Sequence, residues 1–240
     1  MGFWLEGRPL MIAHRGLSAH APENTLVAFR MALERGADGI ELDLQPSADG
    51  VPMVIHDATL ERTTDGRGAV RERTAREIQQ YDAGGWFHPD FAGERVPTLY
   101  EVFEAFGTRL RYNLELKVLG VDDQRIVAPV IEAIRAFGLS EQVLISSFFL
   151  PALNWVKAIA PEIPCALIIP QPKPNQQALS WWTFPLPFEA FHPHDSVVKA
   201  EHVAHVRQQG KRVGVWTVND PARKAELTAW GVDVILTDRV

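Results

Sequence analysis

Short apolar runs, each leading into a stretch of helical periodicity, recur along this 240-residue chain, and that alternation limits its fold more than any other feature. Residues 10–14, 39–43, 112–116, 142–146, 165–169, 189–192, 212–217 and 233–236 read as strands. Helices are expected from Pro22-Glu23-Asn24-Thr25 to about Arg35, and over 123–137, 150–159, 199–209 and 221–230. Gly36, Gly138, Gly210 and Gly231 follow four of these helices, where a left-handed residue stops a helix at least cost, and Pro161 follows the other. Strand–helix alternation calls for a parallel sheet, and eight such strands call for an α/β fold closed as a (β/α)8 TIM barrel. Residues 1–240 are expected to form one barrel domain with an insertion at about 57–97, which carries its own helix near 74–81. The stretch 170–187 has five prolines with Trp181, Trp182 and Phe184, so its helix is expected to be short at best.

Composition removes several classes of function. With 46% hydrophobic and 22% charged residues, the chain has the balance of a soluble globular protein. A net charge of −6 without any basic run argues against a nucleic-acid groove. The lone Cys165 excludes an internal disulfide framework and suits a reducing, cytoplasmic location. No secretory pattern opens the chain, and no apolar run reaches the ~18 residues of a transmembrane segment. An oligomer is compatible with the sequence but not specified by it.

The chemistry concentrates at the ends of the strands, where barrels of this kind place their active sites. Side chains alternate along a strand, so Glu41 and Asp43 share one side while Ile40, Leu42 and Leu44 take the other. Asp49-Gly50 then marks a hairpin whose returning arm, 52–56, ends in His56. With the turn centred near Ala48–Asp49, Glu41 is expected across from His56. His14-Arg15-Gly16 ends the first strand, and Glu115 and Lys117 lie two apart on the third. Glu41, Asp43 and Glu115 in one mouth would repel one another unless a cation intervened. All-oxygen ligation favours Mg2+ or Ca2+. Arg15 and Lys117 beside that ion would receive a phosphoryl group, and His14 and His56 suit the base and the acid of an in-line displacement.

These motifs together resemble the glycerophosphodiester phosphodiesterase family, which is similar in fold to phosphatidylinositol-specific phospholipase C. The likeness is carried by His14-Arg15-Gly16, Pro22-Glu23-Asn24-Thr25, Glu41-Leu42-Asp43, Asp49-Gly50 to His56-Asp57, and Asn113-Leu114-Glu115-Leu116-Lys117. Ser146-Ser147-Phe148, Val215-Trp216-Thr217-Val218-Asn219 and Thr237-Asp238 extend it to the end of the chain. The resemblance implies metal-dependent hydrolysis of a small glycerophosphodiester to an alcohol and sn-glycerol 3-phosphate. It implies metal ligation by Glu41, Asp43 and Glu115, acid–base work by His14 and His56, and phosphate contacts from Arg15 and Lys117. The phospholipase likeness further implies attack by the glycerol 2-hydroxyl and a cyclic phosphate that water then opens. Trp216 is expected to wall the glycerol carbons.

Other readings compete. A non-catalytic polyol-phosphate-binding barrel would need no acid–base pair. A lysophospholipase D would need an apolar tail groove, expected around Trp181–Phe188. His192-Pro193-His194 has the spacing of the paired zinc ligands of an amidohydrolase, but on a late strand, so a pocket-lining or structural role is expected. His20, His88, His202 and His205 read as solvated or loop residues.

Overall fold

The computed structural model describes residues 2–118, 120, 123–174, 180–185 and 187–240. Eight parallel strands close on themselves: β1 (Leu10–Ala13), β2 (Gly39–Pro46), β4 (Arg111–Leu116), β5 (Val143–Ser147), β6 (Cys165–Ile169), β7 (Ala190–Pro193), β8 (Arg212–Val215) and β9 (Val234–Thr237). Each pairs with the next, and β1 pairs with both β9 and β2, so the expected (β/α)8 barrel is formed. β3 (Pro52–Val54) is the antiparallel return of the hairpin on β2.

The helices between strands are α1 (Leu26–Glu34), α2 (Ala75–Ile78), α3 (Leu99–Phe106), α4 (Val127–Ala136), α5 (Leu150–Ile159), α6 (Ala200–Gln208) and α7 (Pro221–Trp230). The Thr25 hydroxyl caps α1 by accepting from Ala28 N. α3 was not anticipated, although Thr98 and Glu101 form a complete capping box at its start, a signal present in the sequence.

Alternation sorts β2 cleanly. Ile40, Leu42 and Leu44 are fully buried in the core between barrel and helices, with Phe29, Phe103 and Tyr112, each such side chain contributing about 1.5–3 kcal/mol. Inside the barrel, Phe3, Leu10, Ile12, Leu144, Ala166, Ala190 and Val234 fill the N-terminal end. Polar side chains are therefore left to the opposite mouth. The insertion has a small core of its own, in which Leu60, Val70, Ile78 and Val96 pack on Met53 and Ile55 of the hairpin arm.

Two expectations need correction. In the hairpin, Leu44 pairs with Val54 and Pro46 with Pro52, which places His56 opposite Leu42 rather than Glu41. The connecting loop 47–51 has an odd number of residues, so the turn centres on Asp49 and the register moves by one. His202 is not solvated: it is 6% exposed on α6, with Trp182 stacked on it at 3.5 Å between ring centroids. Trp181, fully buried, packs edge-on against Phe191. This aromatic pair therefore belongs to the wall of the barrel, and residues 175–179 and 186 of the proline-rich stretch lie outside those described. Among the described residues no helix is long and apolar enough to cross a membrane.

Candidate active site

The site is assembled by two interlocked turns. After β1, Arg15 and Gly16 both take left-handed backbone, at φ 55° and 82°, and the chain reverses sharply. The Arg15 amide then donates to Glu41 Oε2 at 2.9 Å. Asn24, also left-handed at φ 59°, donates its amide to the Arg15 carbonyl and its side chain to Asp43 Oδ2 at 2.8 Å. The two motifs thus hold each other and the two β2 carboxylates. A Cβ on Gly16 would lie 2.8 Å from the Ala28 backbone. Gly16→Ala is expected to destabilise the protein by about 2 kcal/mol, from left-handed strain together with this clash, as urea unfolding would measure.

Glu41, Asp43 and Glu115 converge: one oxygen from each lies within 4.8 Å of the others. Asp43 is fully buried and Glu41 and Glu115 nearly so. Burial, followed by the charges of Asp43 and Glu115, raises the Glu41 pKa well above the usual carboxylate range. Burial likewise lifts Glu115 to about 7 against the pull of Lys117. Asp43 is buried too, yet the charges of Lys117 and Arg15 outweigh that and hold it well below the usual range. Lys117 Nζ lies 2.8 Å from Asp43 Oδ1 without hydrogen-bond geometry, a contact of charge, and it donates to Glu115 Oε1. Three hard oxygen donors, two of them reluctant to ionise side by side, fit a divalent cation whose charge would let all three be anionic.

Two imidazoles flank this cluster. His14 Nδ1 lies 2.8 Å from Asp238 Oδ1, and its Nε2 is 4.0 Å from Glu41 Oε2. His56 Nδ1 lies 2.6 Å from Asp57 Oδ1. A carboxylate only accepts, so each Nδ1 carries the proton and each Nε2 is left for chemistry. Burial, with Lys117 and Arg15 nearby, lowers the His56 pKa against the pull of Asp43. The carboxylate partners are themselves fixed. Arg62 donates to Asp57 and helps hold its pKa to about 2, and Asn219 Nδ2 donates to Asp238 at 2.7 Å. Arg62 also grips Glu23, which accepts from Arg15 at 2.9 Å.

The reading from sequence did not find Asp57 and Asp238 as partners of the histidines, nor Arg62. Asp57 follows His56 directly and was legible as a neighbour. Asp238 meets His14 only because the barrel closes. Arg15, Lys117 and Trp216 all line the same cavity of about 110 Å3, together with His14, His56 and Glu115. Arg15 and Lys117 are at the same time paired with Glu23, Asp43 and Glu115. Trp216 donates its indole N–H to the His192 carbonyl at 2.8 Å and meets Phe148 edge-on.

His192 and His194 do not act as a pair. The His192 ring is buried in the lining of the cavity, where burial pushes its pKa down to about 3 and neither nitrogen finds a hydrogen-bond partner among the described residues. His194 Nδ1 is instead 2.8 Å from Ser196 Oγ. The amidohydrolase-like arrangement is not formed.

Residues 14–240 match the family model described as the glycerophosphoryl diester phosphodiesterase family. A glycerophosphodiester phosphodiesterase of Caldanaerobacter subterraneus subsp. tengcongensis is 41% identical, over 96% of this chain and 94% of its own. Among solved structures, an Oleispira antarctica phosphodiesterase in complex with the product sn-glycerol-3-phosphate superposes with a TM-score of 0.87 at 32% identity, covering 96% of this chain and 93% of that one. A glycerophosphodiester phosphodiesterase from Agrobacterium tumefaciens str. C58 gives 0.82 at 32% identity, covering 96% of each chain.

Proposed function

Since this chain belongs to the glycerophosphoryl diester phosphodiesterase family and is an enzyme of that activity, we propose that it cleaves small glycerophosphodiesters to an alcohol and sn-glycerol 3-phosphate with His14 and His56 as its acid–base pair. The observation that carries this reading is that both rings flank one acidic cluster, each with Nδ1 on a carboxylate. That leaves two Nε2 atoms at the cavity, one to take a proton from the attacking hydroxyl and one to give a proton to the leaving oxygen.

Glu41, Asp43 and Glu115 would hold the divalent cation, Mg2+ or Ca2+. Bound there, the ion supplies positive charge against the charge that builds on the phosphoryl oxygens. Arg15 and Lys117 present further positive charge, and both are prepositioned by ion pairs rather than free to swing. Trp216 offers an apolar face for glycerol carbons. One residue range, 1–240, serves as a single catalytic domain in this reading. The buried, unpaired Cys165 suits a reducing cytosol.

Chelator treatment is expected to abolish turnover of glycerophosphocholine and glycerophosphoethanolamine, and Mg2+ or Ca2+ to restore it. Full activity in protein shown by elemental analysis to be metal-free would overturn the ligand assignment. The same cluster sets a pH dependence. Only the ionised carboxylate ligates, and Glu115 is raised to about 7, so cation affinity is expected to weaken as the pH falls through about 7. Binding near that pH should release protons, which calorimetry in buffers of different ionisation enthalpy reads directly.

A further inference from the structure

The catalytic cavity is small. Its roughly 110 Å3 is well below the volume of either groove that meets it at the rim, so a long substituent on the phosphate extends beyond it. Whatever the phosphate carries beyond glycerol must leave through a groove at the rim. One groove, of about 430 Å3 past His14, is edged by the charged groups of Arg15, Glu23, Asp238 and Arg239. The other, of about 350 Å3 past His56, is continuous with the cavity through His56, Glu115, Lys117 and Phe148.

Ala58, Leu116, Val118 and Phe149 give this second groove apolar walls, alongside Gln45, Asp57 and Ser147, the last of which donates its hydroxyl to the Leu116 carbonyl. Phe148 stands 44% exposed at the junction. The polar groups along it are already engaged. Asp57 is held by His56 and Arg62. Glu115 is held by Lys117, and the Gln45 amide donates to the His56 carbonyl. Lys117 also places its ammonium 5.8 Å from the centre of the Phe148 ring, so one face of that ring already carries a cation. Among the described residues of this groove no carboxylate is left to receive an ammonium, and a neutral hydrocarbon would cover phenylalanine surface otherwise open to water.

Building on the phosphodiesterase reading above, we propose that the leaving alcohol lies in the groove past His56 and that the enzyme favours neutral alcohols with an apolar chain over alcohols bearing an ammonium group. The test compares sn-glycerol 3-phosphodiesters of methanol, hexanol and decanol below their critical micelle concentrations. A second comparison sets glycerophosphocholine against its carbon isostere, in which a tert-butyl group replaces trimethylammonium. We expect kcat/KM to rise about two- to threefold per methylene over the first several carbons, and the neutral isostere to be the better substrate. Val118→Ser and Phe149→Ser should flatten the chain-length dependence while leaving the methyl ester unchanged.

Hydrolysis of all the esters without a chain-length trend would overturn the groove assignment while leaving the proposed activity standing. A trend that both variants preserve would place the chain elsewhere and also overturn it. Preference for the choline ester over its isostere would remove the charge argument. Failure to hydrolyse any of them would sink this inference together with the activity on which it rests.

Discussion

His56→Ala is expected to lower turnover by at least ~100-fold, the usual contribution of a positioned acid–base group, while leaving the thermal unfolding midpoint close to that of the parent. The two halves of the expectation come from different features. His56 lies beyond the end of β3, with its side chain 34% exposed, and fills no part of the main core. Removing it also leaves Asp57 paired with Arg62, so no buried charge is orphaned. What is lost is the one Nε2 on this side of the acidic cluster. A variant with near-normal turnover would remove the histidine from the mechanism. A variant with a much lower midpoint would mean that the loss of rate reports on folding.

A larger effect is expected from Glu41→Gln, of about a thousandfold or more, because a lost ligand weakens an ion that contributes several kcal/mol to charge stabilisation. Stability should move the other way in metal-free protein. Burial and the charges of Asp43 and Glu115 hold the Glu41 pKa well above its ordinary value, so its ionised form is disfavoured in the folded state. Folded protein therefore retains a proton here that unfolded chain releases, and the site destabilises the fold increasingly as pH rises from the ordinary glutamate range. Glutamine keeps an acceptor for the Arg15 amide and removes that penalty. Metal-free Glu41→Gln protein should melt higher than metal-free parent at neutral pH, and the stabilisation that added Mg2+ or Ca2+ gives the parent should vanish in the variant. An active, metal-independent variant would contradict the assignment of Glu41 as a ligand.

The barrel was legible because each strand carries its own local signals. Apolar alternation, a helix start such as Thr25 and a glycine stop such as Gly231 are all set by a few neighbouring residues. α3 could have been read from Thr98 and Glu101 by the same reasoning. The acidic cluster was legible for a related reason: alternation places Glu41 with Asp43, and parallel pairing sets Asp43 beside Glu115. The hairpin shows where such reasoning stops, since one residue of loop length moved His56 from opposite Glu41 to opposite Leu42.

Long-range partners were not legible. Asp238 stands 224 positions from His14, and only closure of β9 against β1 brings them to 2.8 Å. Nor does composition say which aromatic residues face a substrate. Trp181 and Trp182 pack against Phe191 and His202, as clustered aromatic residues usually do, while Phe148 and Phe149 line the groove beside the cavity. Periodicity and end signals depend on interactions within a turn or a pleat, so the amino-acid order alone settled most of the elements and the face taken by each residue of a strand such as β2. The tautomer of His14, the pairing of Arg15 and Lys117 with Asp43, and the shape of the grooves depend on contacts made between strands. The first of them exists only once β9 has closed against β1.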